Sequence, residues 1–307
     1  MEKHSNDVKN SAFKGYLLIL IAGILWGTGG YWVIQLNSFG VGPAMTAFTA
    51  HVMALIPIVT TILIKHGTAG FKISKRGLIY AVILGVFAKA LFKVAYDATT
   101  IDLGQSTASV ILYTSPIFVT AMSLLLLKSK VHWNTYLALA LNLIGVVLVV
   151  TGGKFREFNA STLGITLGVL AAFMYALNTV IGSMAGDTDN PLTTSFYMML
   201  TSSMILFIVA RPWTAKNLAL LSNDKFMFWA IINSVLTAGF PNMLYMSGLS
   251  HDVEAPKAGI LTSVEVIVAT LMGVILLKEN MNVWSILGFI IMLGSIVLLN
   301  SKVEQTE

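Results

Sequence analysis

Ten stretches of mainly apolar residues divide this chain, each near the about 20 residues that cross about 30 Å of hydrocarbon as a helix. They run Lys14 to Leu36, Pro43 to Lys65, Gly77 to Tyr96, Ser106 to Leu127, Trp133 to Gly152, Thr162 to Met184, Pro191 to Arg211, Phe226 to Ser247, Ala255 to Leu277 and Val283 to Asn300. Without water, a segment in lipid must satisfy its own backbone, so each is predicted to be helical. Composition agrees: 11% of residues are charged and mean hydropathy is +0.81, against about a quarter charged in soluble domains. The predicted class is an all-α integral membrane protein with ten transmembrane helices.

Several function classes fall away. The net charge of +5 sits mainly in short loops between apolar stretches, the pattern of a chain beside an anionic leaflet, so the lipid bilayer and not nucleic acid is the expected partner. There is no cysteine, which excludes disulfides, thiolate metal sites and thiol nucleophiles. No phosphate-cradling loop, metal-ligand cluster or nucleophile with a nearby base occurs, so no catalytic residue, metal or cofactor is expected. The longest connections, His66 to Arg76 and Pro212 to Lys225, are too small to fold as separate domains. The first apolar stretch follows Lys3, Lys9 and Lys14, as a secretory signal would, but its length and two tryptophans mark it as a first span.

With the N-terminus inside, ten loop Lys and Arg lie on that side and six on the other, which predicts both termini in the cytoplasm of a cell membrane. Nine of the ten inside charges precede residue 150. Each half read alone chooses the same orientation, and an odd number of spans per half then inverts one of them. A repeat underlies this. Shifting by 150 residues lays Leu127-Lys128 on Leu277-Lys278, Ala98 on Gly248 and Asp102 on Asp252; shifts of 149 and 148 lay Gly15 on Gly164, Trp26 on Tyr175 and Pro43 on Pro191. The expected organisation is two inverted five-helix repeats, residues 1–153 (spans 1–5) and 154–307 (spans 6–10), an arrangement that can open to either face around a midplane site.

Gly23-Ile24-Leu25-Trp26-Gly27, Tyr113-Thr114-Ser115-Pro116-Ile117 with Leu127-Lys128, Tyr175-Ala176-Leu177-Asn178, and Ser263-Val264-Glu265-Val266 with Leu276-Leu277-Lys278-Glu279 together resemble the EamA-type members of the drug/metabolite transporter superfamily, over essentially the whole chain. The resemblance implies ten helices, cytoplasmic termini, a central cavity lined largely by spans 1, 3, 4, 6, 8 and 9, and export of amino acids, metabolites or toxic compounds, with some members importing nutrients. Two positions depart from that pattern: Val266 where the second half usually has proline, and His51 near where members often carry arginine.

Candidate working residues follow from the cost of polarity in lipid. Glu265 lies about 12 Å of helix beyond Lys257 at the cytoplasmic end of span 9, which puts a carboxyl near mid-bilayer. A charge there costs about 2.5–3.5 kcal/mol, so it is expected to face the cavity or carry a proton. Lys257 itself either lines the same wall or snorkels to the cytoplasm. Lys89 and Lys93 are one turn apart with Tyr96 on the same face, placed to cradle a substrate carboxylate; the competing reading pairs Lys93 with Asp97. His51 is a candidate proton carrier, or an interhelical hydrogen-bonding group in a peripheral span. Trp26, Tyr113 and Tyr175 are candidates for an aromatic wall, suited to ring-bearing or quaternary ammonium solutes. Asn178 and Asn242, in spans the resemblance assigns to the cavity, either bind substrate or join helices.

The reading is therefore a secondary transporter of small organic metabolites such as amino acids, working by alternating access as a proton-coupled exporter, as a monomer or homodimer. The alternatives are an importer of a small nutrient and a non-transporting membrane scaffold.

Overall fold

The computed structural model describes residues 2–126, 133–154, 161–186, 189–249, 251, 261–262 and 264–300, and among these every regular element is helical. The helices are α1 (Glu2–Gly27), α2 (Gly29–Asn37), α3 (Pro43–His66), α4 (Lys75–Ile83), α5 (Phe92–Leu103), α6 (Gln105–Leu112), α7 (Ser115–Leu126), α8 (Trp133–Thr151), α9 (Thr162–Gly186), α10 (Pro191–Ala210), α11 (Ala215–Leu221), α12 (Asp224–Asn233), α13 (Phe240–Leu249), α14 (Val264–Ile275) and α15 (Val283–Asn300). Among the described residues, five continuous runs are long and apolar enough to cross a membrane: Phe13–Asn37, Pro43–Phe71, Lys75–Leu103, Pro191–Ala210 and Asp224–Tyr245. Shorter apolar helices cover Thr135–Thr151, Thr162–Asn178, Val264–Ile275 and Val283–Leu298.

Three spans differ locally from their sequence-based bounds. The first is interrupted at Thr28, whose hydroxyl donates to the Leu25 carbonyl at 2.7 Å while the Gln105 amide donates to the Gly27 carbonyl at 2.6 Å. A side chain from another helix thus satisfies a carbonyl at the break. The third runs on to Leu103 rather than stopping at Tyr96. Its polar end stays helical because Thr99 and Thr100 donate to the Ala95 and Tyr96 carbonyls and Asp97 pairs with Lys93. The fourth breaks between α6 and α7 at Tyr113 and Thr114, just before Pro116, which cannot continue a helical ladder.

The helix over Lys75–Leu103 widens to a π-helix at Leu84–Leu91, and that over Asp224–Leu249 does so at Ser234–Gly239, 150 residues later. A π-stretch shifts the side-chain register and is often found at functional sites. Each packs on a neighbouring backbone. A methyl group on Gly85 would come within 2.6 Å of the Met198 carbonyl oxygen on α10, and the Ser234 hydroxyl donates to the Ala50 carbonyl on α3 at 2.7 Å. Small residues allow equally close crossings elsewhere. Gly145 on α8 and Gly288 on α15 each abut the other's carbonyl oxygen, and Gly27 meets Val268 and the Glu265 carbonyl.

Candidate functional site

Glu265 is the second residue of α14 and is buried, and its Oε2 has no hydrogen-bond partner among the described residues. Tyr96, Tyr113 and Tyr175 lie within electrostatic reach of it, and Tyr245 within reach of Tyr113 and Tyr175. Four helices deliver these phenols: Tyr96 on α5, Tyr113 at the α6–α7 break, Tyr175 on α9 and Tyr245 on α13. Phe92 stacks on Tyr96 with ring centroids 5.7 Å apart and tilts against Tyr175 at 5.8 Å; Trp26 tilts against Tyr245 at 5.3 Å. The Tyr113 hydroxyl donates to the Thr262 carbonyl at 3.0 Å, which holds the α6–α7 break against span 9 just before α14. A carboxyl with an unpartnered oxygen among aromatic rings is a place where a proton or an organic cation can reside.

A second polar seam lies between α3, α5, α10 and α13. The Lys89 ammonium, near the end of the first π-stretch, donates to Asn242 Oδ1 at 3.3 Å, and Asn242 Nδ2 donates to the Ala238 carbonyl at 2.6 Å within the second π-stretch. Lys93 forms an ion pair with the fully buried Asp97 one turn on, in which Lys93 Nζ contacts Asp97 Oδ1. His51 is buried, with Nδ1 2.7 Å from the Ser202 hydroxyl, and lies within electrostatic reach of both lysines.

The fold thus gathers Trp26, Tyr113, Tyr175 and Glu265 into one cluster, and Lys89, Lys93, His51 and Asn242 into the adjoining seam. Asn178 sits on α9 three residues past Tyr175, half-buried. Lys257 lies outside the described residues. Sequence reasoning did not single out Phe92, Tyr245 or Asp97 as site groups. Tyr245 carried a usable signal, since it stands three residues from Asn242 and so on the same helical face. Among the described residues no group of His, Asp and Glu is placed to hold a metal ion.

An all-helical bundle with small-residue crossings and a polar, aromatic centre is the architecture of a membrane solute carrier. The chain belongs to the EamA-like transporter family, whose model matches residues 13–151 and again residues 162–301. Its relatives carry transporter names. An uncharacterized transporter of Archaeoglobus fulgidus is 27% identical over 68% of this chain and 73% of its own length. The uncharacterized inner membrane transporter YicL of Salmonella typhimurium is 24% identical over 94% and 96%, and a riboflavin transporter of Vibrio cholerae is 24% identical over 69% and 70%. A solved crystal structure at 13% identity superposes with a TM-score of 0.64, covering 95% of this chain and 99% of that one, a likeness of fold alone.

Proposed function

We propose that this protein is a ten-span secondary transporter that moves small amphipathic organic metabolites, amino acids among them, across the cell membrane by alternating access, as an exporter in exchange for protons. Residues 1–153 and 154–307 form two inverted halves, and both termini are cytoplasmic. The observation that carries the reading is Glu265: a buried carboxyl with an unpartnered oxygen, ringed by phenols from both halves, in a family of transporters.

Paired contacts support the inversion. Gly248 abuts the Gly15 carbonyl, and Thr99, next to the matching Ala98, donates to the Gly164 carbonyl at 3.3 Å. Gly27 meets Val268, and the equivalent Ala176 lies in the cluster against which Phe118 packs. Gly85 abuts the Met198 carbonyl, and Ser234 bonds the equivalent Ala50 carbonyl. Contacts between spans 1 and 8 thus recur between 6 and 3, those of 1 and 9 between 6 and 4, and those of 3 and 7 between 8 and 2. Exchange of the halves in this way is what a twofold axis in the membrane plane would produce.

Counterflow in proteoliposomes under pH gradients of either sign tests the reading. Flux of an amino acid that follows the sign of the gradient is expected; flux indifferent to pH removes the proton, and no flux of any amino acid, amine or dye favours a scaffold. Single-cysteine labelling tests the topology, with no native cysteine to remove, and termini on opposite faces would refute it. A second reading, uptake of a planar nutrient, is favoured by the Phe92, Tyr96, Tyr175 aromatic group and by the relative named a riboflavin transporter. Counterflow with the gradient reversed separates the two directions.

A further inference from the structure

The seam beside the aromatic cluster contains two lysines and one carboxylate among the described residues. Asp97 is fully buried, and its Oδ1 is taken by Lys93. The hydrogen bond of the Lys89 ammonium is to a neutral group, the carbonyl oxygen of Asn242, and among the described residues Lys89 forms no ion pair with a carboxylate. The third basic group, His51, is engaged with the Ser202 hydroxyl. Lys89 is therefore the cation left without a counter-charge, and a buried ammonium in that position favours an anionic ligand group.

The surroundings say what else the ligand carries. Asn242 is anchored through its own amide to the Ala238 carbonyl. Tyr245, three residues further along α13, shares its face and contacts Trp26. A ligand whose carboxylate meets Lys89 would lay its body against aromatic surface.

We infer that Asp97 is a specificity-determining residue that restricts this seam to ligands bearing one carboxylate, by holding the Lys93 ammonium and leaving Lys89 as the cation a ligand meets. This rests on the transport reading for its purpose, but not for its test. With Lys93 committed to Asp97, a second carboxylate on the ligand finds no free ammonium, and a buried charge without a partner is strongly disfavoured where water is excluded.

The test is equilibrium binding to the purified full chain, read by thermal stabilisation and tryptophan fluorescence. Three probes share one skeleton: 3-phenylpropionamide, 3-phenylpropionate and phenylsuccinate, carrying zero, one and two carboxylates. The wild-type protein should prefer the monoanion over both others by ~tenfold or more, and Asp97→Asn should raise phenylsuccinate affinity relative to the monoanion by ~tenfold or more as Lys93 is released. The double variant Lys93→Met/Asp97→Asn should return the ratio to its wild-type value, which a merely structural effect of Asp97 would not do. Lys93→Met alone, which strips Asp97 of its partner, should weaken both anions, and this variant decides the matter if Asp97→Asn does not fold. An unchanged ratio in Asp97→Asn, a gain that survives in the double variant, undiminished anion binding in Lys93→Met, or no wild-type preference for the monoanion over the amide overturns the inference. Absence of counterflow with this binding order intact would instead remove the transport reading.

Discussion

Glu279 joins the two family repeats through a contact whose strength follows from its geometry. Lys278 adopts a positive φ of 58°, and the Glu279 amide donates back to the Gly273 carbonyl at 3.0 Å, a helix-closing turn that aims the side chain at α6. There its two oxygens accept from the backbone amides of Gln105 and Ser106 at 2.6 and 3.0 Å. These are first-turn donors with no partner inside their helix. Hydrogen bonds to a charged group contribute about 1.5–3 kcal/mol each, and a negative charge at a helix N-terminus about 0.3–1 kcal/mol more. Glu279 is only half-buried and borders a cleft of about 220 Å³, through which water can replace it, so the low end applies. Glu279→Ala should destabilise by about 3 kcal/mol, roughly 150-fold in the unfolding equilibrium, and Glu279→Gln, which keeps one acceptor, by about 1.5 kcal/mol. Gly104 supplies a check. It sits at φ 84°, and a methyl there would come within 2.6 Å of Glu279 Oε1, so Gly104→Ala should add backbone strain of about 1 kcal/mol and displace the same carboxylate. The two substitutions share a partner and should therefore be less than additive. Reversible unfolding in mixed micelles, followed by far-ultraviolet circular dichroism, measures both. A Glu279→Ala protein within about 0.5 kcal/mol of wild type, or full additivity with Gly104→Ala, would refute the reasoning.

Three shorter predictions test the centre of the bundle. Glu265→Gln should abolish proton-linked flux in proteoliposomes while leaving circular dichroism and thermal stability near wild type; normal pH-dependent flux in the variant would take Glu265 out of the mechanism. His51→Ala leaves the buried Ser202 hydroxyl without its partner and should cost about 1–3 kcal/mol in the unfolding assay, whereas a cost near zero would mean the His51 to Ser202 contact does not hold α3 to α10. Gly27→Ala drives a methyl into Val268 and the Glu265 carbonyl, an overpacking that should cost about 1–3 kcal/mol and reduce flux; unchanged melting and transport would show that α1 and α14 are free to separate.

The apolar runs were legible because lipid sets both their length and their backbone demands, and the family followed from short motifs in a fixed order. What escaped the sequence was local. Over eight residues, Leu84–Leu91 reads as apolar whether the helix winds at 3.6 or at the wider π pitch, so the shift that aims Lys89 at Asn242 left no periodic trace. The end of the third span was misjudged because Asp97, Thr99 and Thr100 look like loop residues until their partners are known: Lys93 for the carboxylate, and carbonyls one turn back for the hydroxyls. Lys93 with Asp97 could be written down as a pair from their spacing alone. The contact of Glu279 with Gln105 could not, since it spans 174 residues. Likewise, Tyr96, Tyr113, Tyr175 and Tyr245 come from four different apolar stretches, and no local pattern links them.

The repeat is one of backbone and packing, and its chemistry is not repeated. Shifting by 150 residues pairs Lys89 with Gly239, Lys93 with Met243, Asp97 with Ser247 and Glu265 with Ser115, and a shift of 148 pairs His51 with Met199. Every ionisable candidate in these spans therefore has a neutral counterpart, whereas the π-stretches, the close glycine crossings and the span-to-span contacts recur. Physical cost accounts for the division. A close crossing or a widened helical turn costs little in lipid and must occur in both halves if the bundle is to open to either face, while each charge near mid-bilayer costs about 2.5–3.5 kcal/mol. In the proposed alternating-access cycle a group near the middle would be reached from both sides in turn, so one copy would serve where two would double the penalty. On the proposed transport reading, asymmetric charges on a symmetric frame would also give the solute one orientation in the site, with its anionic end toward Lys89 and its cationic or proton-bearing end toward Glu265, whichever face it entered from.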